Sequence, residues 1–234
     1  MTAETDPDTG LSVGPQVDAT PAVHPDSIAI EGQYARLEPL DRHHAADLLA
    51  ASSGEGAPAR FRYLADGVPE TIADVERWIE SADHGGERVG YAIIDRVTGR
   101  AEGRLFFLRI ATAHRRIEIG DILFGPAIAR TRVATEAVYL LARQCFDAWR
   151  YRRFEWKCDR LNAPSRCAAE RFGFEFEGVF RQDVILKGRS RDTAWYAMTD
   201  GDWPALRTKF ECWLAPDNFD ADGGQRRPLA HFRR

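Results

Sequence analysis

The chain has 234 residues, 44% of them hydrophobic and 29% charged, and carries a net charge of −4. It is long enough to bury a sizeable core, and its composition is that of a soluble globular protein. The charge offers no basic stripe of the kind that binds nucleic acid, and no apolar run approaches the roughly 18 residues of a membrane span.

Residues 1–27 are rich in Asp, Thr, Pro and Gly and almost free of large apolar side chains. Such a stretch cannot repay the entropy of ordering, which predicts a disordered leader. Its acidic start is neither a secretory signal nor a basic transit peptide, which predicts a cytoplasmic protein. Cys145, Cys158, Cys167 and Cys212 show no CxxC spacing. They read as buried free thiols in a reducing compartment. No metal site is expected. The histidines do not cluster with the cysteines, and His43 and His44 are adjacent rather than four apart on one helical face.

Residues 28–40 predict a first strand containing a turn, with Asp41 as N-cap of a short helix ending in a Gly/Ser/Pro loop at 52–58. RFRYLAD (60–66) is a short aromatic segment. Ile72, Val75, Trp78 and Ile79 recur at helical spacing from Pro69 onward, with a stop at His84-Gly85-Gly86. Three strand-like runs follow, at 88–95, 101–110 and 115–124, with links short enough for an antiparallel meander. Gly125-Pro126 breaks the third run before a long helix over 130–149. A strand (151–158), a helix (162–171) stopped by Gly173, a hairpin (174–185 with 193–198) and a last helix from Asp200 to Trp213 complete the order. Residues 215–234 are polar and read as a flexible tail. The third meander strand and the strand at 151–158, joined by one helix, predict a parallel pair with a right-handed crossover. The fold class is α/β (α+β): a mixed, mostly antiparallel sheet with helices on both faces.

This order, with Glu118-Ile119-Gly120, Ala134-Thr135-Glu136-Ala137, and Asn162-Ala-Pro-Ser165 followed by Gly173-Phe174, resembles the GNAT family of acyl-CoA-dependent N-acyltransferases. Within it the chain is most similar to the Rim-type branch of ribosomal-protein N-terminal acetyltransferases. The resemblance implies a GNAT domain over 28–214 with one splayed parallel strand pair. It implies acetyl-CoA as co-substrate, no metal, and a small-molecule or peptide amine as acceptor. The cofactor would lie beside Ile122, Leu123 and Phe124, with its phosphates at the long helix's N-terminus, over Arg130, Thr131, Arg132, Val133, Ala134 and Thr135.

The family's loop pattern there is Q/R-x-x-G-x-G/A, and it falls on ARTRVA (129–134). Only the last position matches, because Ala129 replaces Gln or Arg and Arg132 replaces Gly. Arg130 and Arg132 either compensate by pairing with phosphate or merely decorate the helix start. Thr135 either donates its hydroxyl or caps.

Acyl transfer to an amine needs a neutral amine, a stabilised thioester oxygen and a protonated leaving thiol. Many GNAT enzymes use a Tyr seven residues after the Asn, and here that position is Ala169. The Rim-type match moves the role of hydrogen bonding to the leaving sulfur to Ser165, and gives Asn162 a contact with the pantetheine or an ordered water. Asn162 is also a good helix N-cap. Glu118 resembles the family's strand carboxylate and is the candidate base, directly or through water, with Asp121, His114 and Glu102 as alternatives. Phe61, Tyr63, Trp78, Arg181 and Trp195 are candidate acceptor contacts. Trp195 and Tyr196 on the hairpin would serve either a homodimer or the core. The competing readings are a non-catalytic acyl-CoA sensor and a transferase for a larger donor such as succinyl-CoA, drawing on Arg104 or Arg109.

Overall fold

The structure is a computed structural model that describes residues 3–82 and 86–232. The helix stop expected at His84-Gly85 lies outside the described residues. The chain begins with a small hairpin, β1 (Glu4–Thr5) and β2 (Ser12–Val13). There follow β3 (Ile30–Glu31), β4 (Ala35–Pro39), α1 (Ala45–Ser52), α2 (Ala57–Arg60) and α3 (Ile72–Ala82). The meander is β5 (Val89–Asp95), β6 (Ala101–Ala111) and β7 (Arg116–Phe124), and α4 (Arg132–Arg143) crosses over to β8 (Arg153–Asp159). The chain closes with α5 (Ala163–Phe172), β9 (Glu175–Leu186), β10 (Arg189–Thr199) and α6 (Trp203–Leu214).

Eight strands form one sheet in the order β3-β4-β5-β6-β7-β8-β10-β9. Every pairing is antiparallel except β7 with β8, the pair joined through α4. On one face Leu105, Phe107, Ile117, Ile119 and Phe154 pack under α4 and α6. Residues 133–142 of α4 are all buried, because the sheet covers one side and Tyr139 stacks near Phe210 and Trp203 of α6 on another. On the opposite face α1 and α3 cover Ala92, Ile94 and Ala101 with Leu48, Val75 and Ile79.

The feature that places the site is the end of the parallel ladder. β7 and β8 pair only from Arg116–Arg153 to Ile119–Trp156. Beyond that point β7 carries one extra residue against β6: Phe106 faces Gly120, but Arg104 faces Leu123. Asp121 sits in this bulge with φ 50. A bulge bends its strand, and Asp tolerates the left-handed region better than most residues. The strands therefore part, and Gly120 to Phe124 face Lys157 to Asp159 without ladder bonds.

Three expectations need correction: the disordered leader, the flexible tail and the burial of all four cysteines. The leader is docked from Asp18 onward. Ala22 and Val23 donate backbone hydrogen bonds to Thr112 and Trp149, Tyr91 Oη donates to the Asp26 carbonyl, and Arg115 donates to the Asp18 carbonyl. Composition misses this because main-chain bonds to open carbonyls, not apolar side chains, hold the segment. Deleting residues 1–25 is expected to cost about 1–2 kcal/mol and lower the melting temperature by roughly 2–8 °C. An unchanged melting temperature would show these bonds to be idle.

The tail is likewise ordered onto the body. Phe219 and Leu229 are buried, and Asn218 bonds to the Trp213 and Arg227 carbonyls. Two apolar anchors suffice in an otherwise polar segment. Cys145 and Cys158 are buried, but Cys167 and Cys212 are exposed, because they fall on the outward faces of α5 and α6. The turn after β4 brings Glu38 against both His43 and His44. His44 Nδ1 accepts the Asp41 N–H, so its Nε2 carries the proton and donates to Glu38 at 3.0 Å. Asp41 and His44, three residues apart, form a capping box closed by a histidine, and the turn of the chain sets Glu38 beside it.

Candidate active site

A cavity of about 730 Å³ occupies the gap between β7 and β8. Glu118, Ile122, Leu123, Phe124, Asn162 and Ser165 all line it, so six side chains singled out in the sequence meet there. Of the loop before α4, Ala129 reaches the wall.

Glu118 points to the face of β7 opposite Ile117 and Ile119, as alternation requires, and is 1% exposed. Its Oε2 lies 3.2 Å from Lys157 Nζ and 3.6 Å from Arg109 Nε, yet takes no directed hydrogen bond. Burial pushes the Glu118 carboxyl above its ordinary value, Lys157 and Arg109 pull it back in part, and Glu155 on the neighbouring strand pushes it up further. A buried carboxylate with a raised pKa on a cavity wall is suited to accept a proton. Arg109 reaches this point because its own backbone bulges, with φ 50, which turns its guanidinium over the Trp195 ring.

Across the cavity, Asn162 caps α5 and its Oδ1 accepts the Ser165 N–H at 3.2 Å. Capping uses the side-chain oxygen, and Asn162 lines the cavity. Ser165 Oγ accepts the Trp156 indole N–H at 3.0 Å. With one lone pair committed to the indole, the hydroxyl still has its proton to donate, and accepting a hydrogen bond strengthens a hydroxyl as a donor. Burial pushes the neighbouring Cys158 thiol up, and a hydrogen bond with Ser165 offsets part of this. The hydroxyl thus already stands beside one sulfur.

At the start of α4 the Thr131 side chain accepts the Val133 N–H, while Thr135 Oγ1 donates to the Thr131 carbonyl and accepts from Arg171. Thr135 is committed within the protein. The Arg132 and Ala134 N–H groups remain for an anion at the positive end of the helix dipole. Arg130 is exposed with φ 66, and Arg132 lies over the Tyr34 ring.

At the far end of the cavity Arg104, Asp121 and Trp78, each singled out separately in the sequence, join Asp66 and Arg88 in one charged network. Arg104 is buried within β6, stacks 3.7 Å from the Trp78 ring centroid and donates to Asp66 and Asp121. Arg88 donates to the other oxygen of Asp121. Asp121 is therefore held by two guanidiniums, whereas Glu118 Oε2 has Lys157 Nζ at 3.2 Å and Arg109 Nε at 3.6 Å without a well-directed hydrogen bond from either. Of the other candidates, Tyr63 and Trp78 line the cavity, Phe61 is buried in the core, Arg181 is exposed on edge strand β9, and Trp195 and Tyr196 are buried. His114 and Glu102 do not reach the cavity wall.

Residues 35–175 match the acetyltransferase (GNAT) domain family. The chain belongs to the GNAT acetyltransferase family. A GCN5-related N-acetyltransferase from Brucella melitensis is 47% identical, with TM-score 0.89, covering 92% of this chain and 97% of that one. A probable GNAT acetyltransferase from Chromobacterium violaceum is 36% identical, with TM-score 0.76, covering 85% and 100%. The Microcin C7 self-immunity acetyltransferase MccE, solved with acetyl-CoA and AMP, shares the fold at 23% identity and TM-score 0.63, covering 72% and 93%. No protein with a curated functional description matches the sequence.

The matched family segment of this GNAT chain holds the start of α4 and every cavity residue except Arg191, and ends before β10, α6 and the C-terminal segment. Lys157 and Trp156 were legible only as sheet residues, and Arg109 only as a contact for a larger acyl donor. The alternation of β8 places Lys157 on the Glu118 face, and that was the one available signal for it.

Proposed function

We propose that the protein moves an acetyl group from acetyl-CoA directly to a primary amine, a peptide N-terminus or a small-molecule amine, as in the Rim-type branch. The observation that carries this reading is the gap between Gly120–Phe124 and Lys157–Asp159, which has Glu118 and Ser165 on its walls. The unladdered main chain of Ile122, Leu123 and Phe124 fits an amide-bearing arm, which would extend the sheet in place of the missing β8 bonds. The free N–H groups at the start of α4, with Arg130, fit the phosphates. The co-substrate supplies the activated acyl thioester.

The chain's own groups then divide the work. Glu118 takes a proton from the acceptor ammonium, directly or through water, and leaves the amine neutral. Ser165, polarised by Trp156, donates its hydrogen bond toward the departing sulfur. Asn162 presents its amide to the cofactor arm.

Ser165→Ala is expected to lower kcat about ten- to a hundredfold while KM for acetyl-CoA stays within about threefold. The check is steady-state release of free CoA thiol on amine panels. Equal turnover in the variant would remove Ser165 from the mechanism. Acetyl-CoA binding with no turnover on any amine would favour a sensor.

A further inference from the structure

Thr193 pairs with Asp159, the last residue of β8, and beyond it β9 and β10 continue as a two-stranded overhang. The overhang bends where β9 carries extra residues: Phe180 faces Thr193 and Val184 faces Arg191, with Gln182 between them at φ 52. Its tip is the two-residue turn Lys187-Gly188, both at positive φ as the twist of a tight hairpin requires. A bare hairpin is marginal in water, and this one is fastened at its tip. Lys187 Nζ donates to the Phe61 and Asp66 carbonyls at 2.9 and 2.8 Å. Between those two residues, Tyr63 Oη donates to the Leu161 carbonyl at 3.2 Å. One ammonium thus pins both ends of segment 61–66 to the hairpin, and the middle of that segment is tied to the residue before Asn162.

These ties enclose a second cavity of about 440 Å³, which meets the first at Tyr63, Asp159 and Arg191. Its charge is one-sided. Arg62, Lys187, Arg189 and Arg191 line it against the carboxylate of Asp159, in a chain whose net charge is −4. Asp159 Oδ1 already accepts the Leu161 N–H. The neighbouring Asp192 accepts the Gln182 N–H and pairs with Arg160. Among the described residues no carboxylate pairs with Arg62, Arg189 or Arg191, and Arg191 Nε is buried without a hydrogen-bond partner. One solvated arginine is ordinary. Three that converge on a concavity beside a fixed lysine focus a positive potential there and suit a carboxylate.

The second cavity lies on the reacting side of the sheet. Asp159 is the next residue after Lys157 on the same face of β8, about 7 Å along the strand. Lys157 Nζ in turn lies 3.2 Å from Glu118 Oε2. An amine that meets Glu118 therefore has these cations one strand step or more away. We propose that the cavity between segment 61–66 and the hairpin tip selects the acceptor, which carries a carboxylate about 7–10 Å from its amine, bound by Arg189 and Arg191. This rests on the acyl-transfer reading and narrows it. The Lys187 clasp holds the two walls together and keeps the cations converged.

An acidic peptide N-terminus and a long-spaced amino acid share this chemistry, so the experiment has two arms. It measures kcat/KM with acetyl-CoA for the C-terminally amidated peptides Ser-Glu-Glu-Ala and Ser-Gln-Gln-Ala, and for ε-aminocaproate and its amide. The wild type is expected to prefer the acid of at least one pair about tenfold, mainly through KM, and to lose most of that preference at about 0.5 M salt. The pair that shows it separates the peptide from the small molecule. Arg189→Gln combined with Arg191→Gln is expected to bring the acid-to-amide ratio to about one, a ratio that a merely less stable enzyme would leave unchanged. An acid no faster than its amide in both pairs, or a preference that survives in the double variant, would overturn the proposal and leave the acyl-transfer reading standing. Turnover on no amine, charged or neutral, would sink both.

Discussion

Replacing Glu136 by alanine is expected to destabilise the protein by about 3–6 kcal/mol and to lower its melting temperature by roughly 10–20 °C. The Glu136 carboxylate, buried on α4, accepts three backbone N–H groups from the turn between β3 and β4. Gln33 donates to Oε1 at 2.8 Å, and Tyr34 and Ala35 donate to Oε2 at 2.5 and 2.7 Å. Alanine would strand three donors, each at about 1–3 kcal/mol, in a fold whose whole margin is about 5–15 kcal/mol. Glu136→Gln is expected to fall between the two, because an amide has one acceptor oxygen and turns donors toward at least one N–H. Gly32 belongs to the same lock. A Cβ there would sit 2.7 Å from the Glu136 carboxylate, so the carboxylate fills the space that any side chain would need. Thermal and urea denaturation check this. A fall below about 2 °C would mean that water or a shifted turn replaces the bonds. Because Tyr34 also supports Arg132, the loss would reach the start of α4.

Glu118→Gln is expected to lower kcat about a hundredfold or more and to abolish the acidic limb of the pH–rate profile. In the wild type that limb should have its midpoint above the ordinary carboxyl value of 4.5, because burial raises the Glu118 pKa. Lys157→Met should move the midpoint higher still, since the Lys157 ammonium is the first of the groups pulling it down. Stability carries the matching sign. A carboxyl whose folded pKa lies above its unfolded one holds its proton more tightly when folded. The native state is therefore favoured below the unfolded pKa, and that advantage is lost as pH rises from about 4.5 through the folded value. Glu118→Gln should thus gain stability relative to the wild type across that window. A variant with the wild-type rate and pH profile would remove Glu118 as the base.

Much of the site was legible because its residues sit on short-range patterns. Glu118 follows from alternation on one strand. Asn162 and Ser165 follow from a helix start between a buried strand and a Gly stop, and Ile122 to Phe124 from a strand broken by Gly125-Pro126. The charged network at the far end of the cavity was not legible. Arg104 looks like an interruption in an apolar strand until Asp66, Asp121 and Trp78 close around it, and those residues lie far apart in the chain. Trp156 reads as core, and only the position of α5 shows its indole N–H orienting Ser165. The leader and tail misled for a related reason. Each is fastened by a few main-chain bonds and buried anchors, which a composition dominated by Asp, Gly and Pro outweighs.

By itself, then, the sequence determined the order of elements, the parallel crossover and the residues on each strand face, because periodicity and turn chemistry act over a few residues. Only the tertiary structure decided that β7 and β8 part after Ile119, that Glu118 is buried beside Lys157 and Arg109, and that Phe219 of the tail reaches Arg132 at the start of α4. Those outcomes depend on a bulge, on desolvation and on packing between distant segments, and no local pattern encodes any of the three.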